Sequence, residues 1–179
     1  MAFTTESHPG VHADVPAAAR GFVFNHSMLR VKDPAVSLGF YTGVMGMRVL
    51  RKLDFPEMKF SLYFLAKLEE GAAVPDDVAA RTRWTFGREG VLELTHNWGT
   101  ESDPAFRYHD GNAQPQGFGH ICFSVPDLKA AVDWFDENQV PFVKRPEQGR
   151  MKDVAFIKDP DGYWIEIVQA DLLGQLGQS

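Results

Sequence analysis

Two stretches of the chain repeat one another, and each carries a histidine in the same place. One runs from His26 through Val31 to Asp33, the other from His120 through Val125 to Asp127. In each, the histidine is followed by four residues, a valine, one residue and an aspartate. An aromatic pair then falls at the same offset, Phe40-Tyr41 in one case and Trp134-Phe135 in the other. Each repeat leads on to a carboxylate inside an apolar run, Glu93 in Val-Leu-Glu-Leu and Glu166 in Trp-Ile-Glu-Ile. A lone buried carboxylate is costly and tends to take up a proton. Two imidazoles and two carboxylates could instead hold a divalent ion such as Zn, Ni, Fe or Mn, with positions left open for water or substrate oxygens. The same four residues could also be ordinary strand residues, some on solvated faces, because spacing alone does not make four strands converge. Cys122, two residues past His120 on the same face, is a rival ligand or nucleophile, although a lone strand cysteine is more often a small apolar side chain. His96 and His109 lie near turns and read as structural or solvent-facing.

Strands must position these groups. Alternation over residues 22–31 puts His26 on one face with Phe24, Met28 and Arg30. Asp33 followed by Pro34 is a helix start, and Leu38, Tyr41, Thr42 and Met45 space as one helical face ending at Gly46. Residues 48–55 and 59–66 follow as strands, with Phe60, Leu62 and Phe64 alternating on one side. Residues 67–83 break the pattern and read as an inserted loop with a helical turn. Residues 84–95 read as a strand region interrupted at 87–90, and 96–116 as a long polar connection. The second half repeats the plan more compactly. Its strands are expected at 119–125, from Phe142, at 154–158 and at 163–168, with a helix over 128–138 capped by Asp127. Asp159-Pro160-Asp161-Gly162 is the turn joining the last two strands. Each half therefore reads β-α-β-β-β. The predicted organisation is an α+β fold of two such modules forming curved mixed sheets. An arm covers residues 1–21, and one domain covers 22–179. That domain comprises module 22–95, connection 96–116, module 117–168 and a tail at 169–179 with a short helix. His8 and His12 fall in the arm, which could wrap a partner subunit.

Bulk properties narrow the classes. The chain has 179 residues and a formal net charge of -6, so neither a nucleic-acid groove nor a polybasic membrane patch is expected. A single cysteine allows no intramolecular disulfide and points to a reducing compartment, hence the cytoplasm. The N-terminus lacks a signal-peptide pattern, and no apolar run nears the roughly 20 residues of a membrane span.

Five motifs carry a resemblance that extends from about residue 24 to 169. They are Met-Leu-Arg-Val-Lys-Asp-Pro at 28–34, Asp-Phe-Pro-Glu-Met-Lys-Phe-Ser-Leu-Tyr-Phe-Leu-Ala at 54–66, Leu-Glu-Leu-Thr-His-Asn-Trp-Gly-Thr at 92–100, Gly-Phe-Gly-His-Ile at 117–121 and Lys-Asp-Pro-Asp-Gly-Tyr-Trp-Ile-Glu-Ile at 158–167. In these the chain resembles the glyoxalase I (lactoylglutathione lyase) family of the vicinal oxygen chelate superfamily. The resemblance implies paired βαβββ modules and a homodimer with active sites built from both subunits. It implies the metal ligands His26, Glu93, His120 and Glu166. The insertion and arm resemble the long form, which implies Zn2+, with Ni2+ or Co2+ as the alternative and no organic redox cofactor. Glutathione contacts map onto Arg30, Asn97, Lys144 and Arg150, with Met151 beside the last. One basic family position is Gln116 here, a cation lost. Phe55, Phe60, Leu62 and Phe64 match the region lining the thioester side-chain pocket, though as plain sequence they would be core. The implied substrate is the hemithioacetal of methylglyoxal and glutathione. The implied reaction is metal-assisted proton transfer through an enediolate to S-D-lactoylglutathione, with Glu166 as the main base and Glu93 as the opposing carboxylate.

Overall fold

The computed structural model describes residues 9–12 and 14–174. Parts of the expected arm, with His8, and the last five residues of the tail lie outside the described residues.

Two four-stranded mixed sheets carry the fold. The first holds β1 (His26–Val31), β2 (Arg48–Phe55), β3 (Phe60–Ala66) and β4 (Val91–Asn97) in the order β1-β4-β3-β2. The second holds β5 (His120–Ser124), β6 (Phe142–Lys144), β7 (Val154–Lys158) and β8 (Trp164–Val168) in the order β5-β8-β7-β6. In each sheet the histidine strand runs parallel to the glutamate strand, and the other pairings are antiparallel.

Helices α1 (Pro34–Gly39) and α3 (Leu128–Glu137) follow the histidine strands. Asp33 caps the first by accepting from Ala35 N at 2.9 Å, and Asp127 caps the second by accepting from Ala130 N at 2.9 Å. Both helices bury apolar side chains against one shared core. Leu29, Val31, Leu92 and Leu94 enter it from the first sheet, and Ala155, Ile157, Ile165 and Ile167 from the second. Those positions alternate with the metal-ligand candidates, so His26, Glu93, His120 and Glu166 lie on the opposite faces of their sheets. The modules are also stitched by polar bonds. Tyr41 donates to Asp159 Oδ2 at 2.9 Å, Lys32 N donates to Asp161 Oδ1 at 3.0 Å, and Trp134 Nε1 donates to the Val44 carbonyl at 3.0 Å.

The structure corrects several sequence expectations. The first strand begins at His26 rather than residue 22, because pairing with β4 starts at the His26–Val91 register. The expected helical face through Met45 is α1 followed by a π turn over Phe40–Val44, and Gly46 ends it at φ 65°. The largest revision is in the insertion. Residues 84–86 are not strand: helix α2 (Val78–Phe86) runs through them, capped by Asp77 accepting from Ala80 N at 2.8 Å. Its Trp84 packs on a second apolar cluster built from Leu50, Phe64, Ala66 and Val91 on the ligand face of the first sheet. The alternating-strand reading failed there because Trp, Thr and Phe favour strands locally, while burial against this sheet decided for helix. The short α4 (Ala170–Leu173) lies in the expected tail. No described helix is long and apolar enough to cross a membrane.

Candidate metal centre

Each module brings its histidine and glutamate together. Met28 and Phe64 are the register partners of Glu93 on either side, and His26 lies two residues before Met28 on that face. His26 Nε2 consequently stands 3.0 Å from Glu93 Oε2. In the second module Cys122 and Phe156 flank Glu166, and His120 Nε2 is 3.4 Å from Glu166 Oε2. The repeat extends to an aromatic that sequence comparison passed over. Phe64 meets His26 edge-on at 5.8 Å, and Phe156 meets His120 edge-on at 5.3 Å.

The tautomer of His26 is fixed by its surroundings. Asn25 Nδ2 donates to the carbonyls of Thr85 at 2.9 Å and Arg88 at 2.6 Å, so its oxygen faces His26 Nδ1 at 2.7 Å. The Asn25 oxygen can only accept, so Nδ1 carries a hydrogen and Nε2 is the ring nitrogen turned toward Glu93. Glu93 Oε1 accepts from the Thr95 hydroxyl at 2.9 Å, which leaves Oε2 directed at the ring. An imidazole nitrogen and a carboxylate oxygen 3.0 Å apart can share a proton or a cation. Imidazole and carboxylate are suitable donors for a divalent ion, and the outer hydrogen bonds are of the kind that orient metal ligands.

Among the described residues, no group of three or more His, Cys, Asp and Glu side chains is close enough to hold one ion. The histidines both border a cleft of about 430 Å³, with Phe24, Met47, Phe118 and Cys122, while neither glutamate borders it. One chain therefore presents two separate histidine–glutamate pairs. Burial, then the charge of Glu166, pushes the Cys122 thiol up to about 11, away from the reactive thiolate. His96 is structural, buried at 2.7 Å from Glu101 Oε2, and His109 Nδ1 accepts from Gly111 N at 2.9 Å.

The remaining candidates are scattered around these faces. Arg30 is exposed two residues past Met28, and Asn97 ends β4 with its amide donating to the Tyr108 hydroxyl at 3.1 Å. Lys144 donates to the carbonyls of Arg145, Met151 and Val154 at 3.2, 2.6 and 2.7 Å. Burial and then the neighbouring Lys152 lower its pKa. Arg150, Met151 and Gln116 are exposed. Phe55 and Phe60 stack at 4.7 Å. Leu62 packs on the apolar cluster that contains Phe64, and Phe64 is itself almost fully buried. Phe86, which sequence reading left in a strand, reaches His26 at 6.3 Å and Phe64 at 4.8 Å from α2.

Paired βαβββ modules of this kind have counterparts among known proteins. The family model of the Glyoxalase/Bleomycin resistance protein/Dioxygenase superfamily matches residues 23–167. A lactoylglutathione lyase of Pseudomonas aeruginosa is 60% identical over 178 residues, covering 99% of both chains. A glyoxalase I of Saccharomyces cerevisiae is 46% identical over 89% of this chain and 47% of its own. Among solved structures, the glyoxalase I of Leishmania major superposes with a TM-score of 0.63 at 32% identity, covering 88% of this chain and 93% of that one. The chain belongs to this superfamily and, within it, to the glyoxalase I (lactoylglutathione lyase) family.

Proposed function

We propose that this chain isomerises the hemithioacetal of methylglyoxal and glutathione to S-D-lactoylglutathione, at a divalent-metal site completed by a second copy of the chain. The observation that carries the reading is the repeated histidine–glutamate pair, 3.0 and 3.4 Å apart, in a chain 60% identical to a lactoylglutathione lyase along its whole length. His26 and Glu93 of one subunit and His120 and Glu166 of the other would hold the ion. Zn2+ is the proposed ion, with Ni2+ or Co2+ as alternatives. When bound, it supplies Lewis-acid stabilisation of the negative charge that grows on the substrate oxygens. Glu166 removes the proton from C1 and returns it to C2, and Glu93 faces it from the other side. No redox step is involved, and glutathione leaves joined to the product.

Arg30 offers a fixed, forked donor to a glutathione carboxylate on the His26 face. Asn97 and Arg150 add polar contacts, and the ammonium of Lys144 holds the backbone of the loop that carries Arg150 and Met151. The apolar group of the thioester meets Phe55, Phe60, Leu62 and Phe64. Completion by a second copy is supported by two observations. Neither half-site reaches three donors among the described residues, and Phe24 and Phe118, just ahead of the two histidines, are 80% and 51% exposed. The lone cysteine suits a cytoplasmic setting.

The deciding experiment refills metal-free protein separately with Zn2+, Ni2+ and Fe2+. Isomerisation of the methylglyoxal–glutathione adduct, strongest with Zn2+, is the expected result. Oxygen uptake with a catechol on Fe2+, or tight binding of a small ligand without turnover, would replace this reading with a dioxygenase or a sequestering protein.

A further inference from the structure

The internal repeat is broken at the two positions that brace the candidate metal ligands. In the first module Asn25 accepts from His26 Nδ1 at 2.7 Å, and Thr95 donates to Glu93 Oε1 at 2.9 Å. In the second module the matching positions, one before His120 and two past Glu166, are Gly119 and Val168. Glycine has no side chain to hold a ring, and valine has the shape of threonine without its hydroxyl. The rest of the half-site is kept. Phe64 and Phe156 are the register partners of their glutamates and meet their histidines edge-on. What the second module lacks are the counterparts of Asn25 and Thr95, and Glu166 keeps a side-chain hydrogen bond with Cys122 instead.

Two further observations run the same way. The polar neighbour of Glu166 is the Cys122 thiol, a far weaker donor than a hydroxyl. The side chains of His26 and Glu93 are 32% and 13% exposed, against 39% and 21% for His120 and Glu166. Asn25 is itself immobilised, since both hydrogens of its amide go to carbonyls at the end of α2 and in the turn after it. Nothing equivalent stands in the second module, where β7 and β8 are joined by a short turn.

We propose that Asn25 and Thr95 are positioning residues that make His26 and Glu93 the fixed anchor of the site, and that the turning of Glu166 between ion and substrate, which the family resemblance implies, depends on the lack of such braces around it. This rests on reading the four residues as one metal site with Glu166 as the main base. A carboxylate that shuttles a proton must break every hydrogen bond that holds it before it can turn. A carboxylate that only holds an ion gains from each one.

The test exchanges the braces in the full chain. Zn2+ affinity is read by competition with a chromophoric chelator, beside kcat and KM for the methylglyoxal–glutathione adduct. Thr95→Val weakens Zn2+ binding about tenfold or more, and Thr95→Ser restores it. Val168→Thr, which gives Glu166 the hydroxyl that Glu93 has, lowers kcat several-fold with KM and Zn2+ affinity held or tightened. In Asn25→Ala, the ring nitrogen NMR signals of metal-free His26 change from one tautomer to a mixture. Zn2+ affinity unchanged in Thr95→Val, or kcat unchanged in Val168→Thr, overturns the proposal. Should Thr95→Val fail to fold, the Val168→Thr and Asn25→Ala arms decide it. Unmodified protein that binds Zn2+ but leaves the adduct untouched would sink the isomerase reading, while the affinity and NMR arms still judge the bracing.

Discussion

A carboxylate between two leucines, or between two isoleucines, is out of place until something shares its charge. Glu93 and Glu166 stand in those positions, each beside an imidazole nitrogen. Changing Glu166 to glutamine keeps the shape and one acceptor oxygen but removes the group that carries a proton. We expect kcat to fall by about 10²- to 10⁴-fold with the thermal transition unchanged, measured at saturating Zn2+. Glu93→Gln is expected to be impaired chiefly through Zn2+ affinity, because its Oε2, turned toward His26 while Thr95 holds Oε1, is the proposed ligand atom. A near-normal rate in Glu166→Gln would remove it from the base role. At this scale the four candidate residues were legible, since the repeat marks them twice, and the structure sets each histidine beside its glutamate. It was silent on Asn25, Thr95 and Phe156, whose relevance depends on strand register and not on spacing along the chain.

At the scale of elements, the turn between β7 and β8 joins the modules as well as the strands. Asp159 is 3% exposed, accepts from the Tyr41 hydroxyl, and accepts from its own turn at Asp161 N and Tyr163 N. Burial raises its pKa to about 6, with the charge of Asp161 adding to the effect. Burial also holds the Tyr41 hydroxyl well above its usual range and pushes Tyr163 up to about 12. A carboxyl whose folded pKa is raised contributes stability that is fully present below its unfolded value near 3.9, and that is lost as pH rises through about 6. The loss is bounded at about 3 kcal/mol. Asp159→Asn keeps an acceptor for the backbone and a polar partner for Tyr41. Urea unfolding followed from pH 4 to 7 should therefore fall for the native chain and run nearly flat for the variant. Equal slopes for the two would show that Asp159 does not titrate in this window.

At the scale of the whole molecule, the shared core occupies one face of each sheet and the candidate ligands lie on the other, which in the first sheet is partly covered by α2. Completion by a second copy predicts complementation. His26→Ala and Glu166→Gln chains are each expected to be nearly inactive alone. After subunit exchange, a mixed dimer gathers both defects in one site and neither in the other. Activity should return to about half of a normal dimer per mixed dimer, because one of its two sites is intact. No recovery despite demonstrated exchange, by mass or by tagged pull-down, would assign the sites to single chains.

The order of the strands, the helices α1 and α3 with their caps at Asp33 and Asp127, and the turn at 159–162 were written in local patterns, and the structure reproduces those elements. Alternation determined that each histidine shares a face with the residues two on from it, because side chains on a strand have a fixed period of two. The segment just past the insertion was not determined locally. Residues 84–86 carry strand-forming side chains, yet they end helix α2, whose Trp84 packs on the cluster of Leu50, Phe64 and Val91. Nor could spacing decide which histidine meets which glutamate. The parallel pairing of β1 with β4 and of β5 with β8 sets that, since register brings together residues 67 apart in one module and 46 apart in the other. Local pattern fixes which way a side chain points, but only long-range packing fixes what it points at.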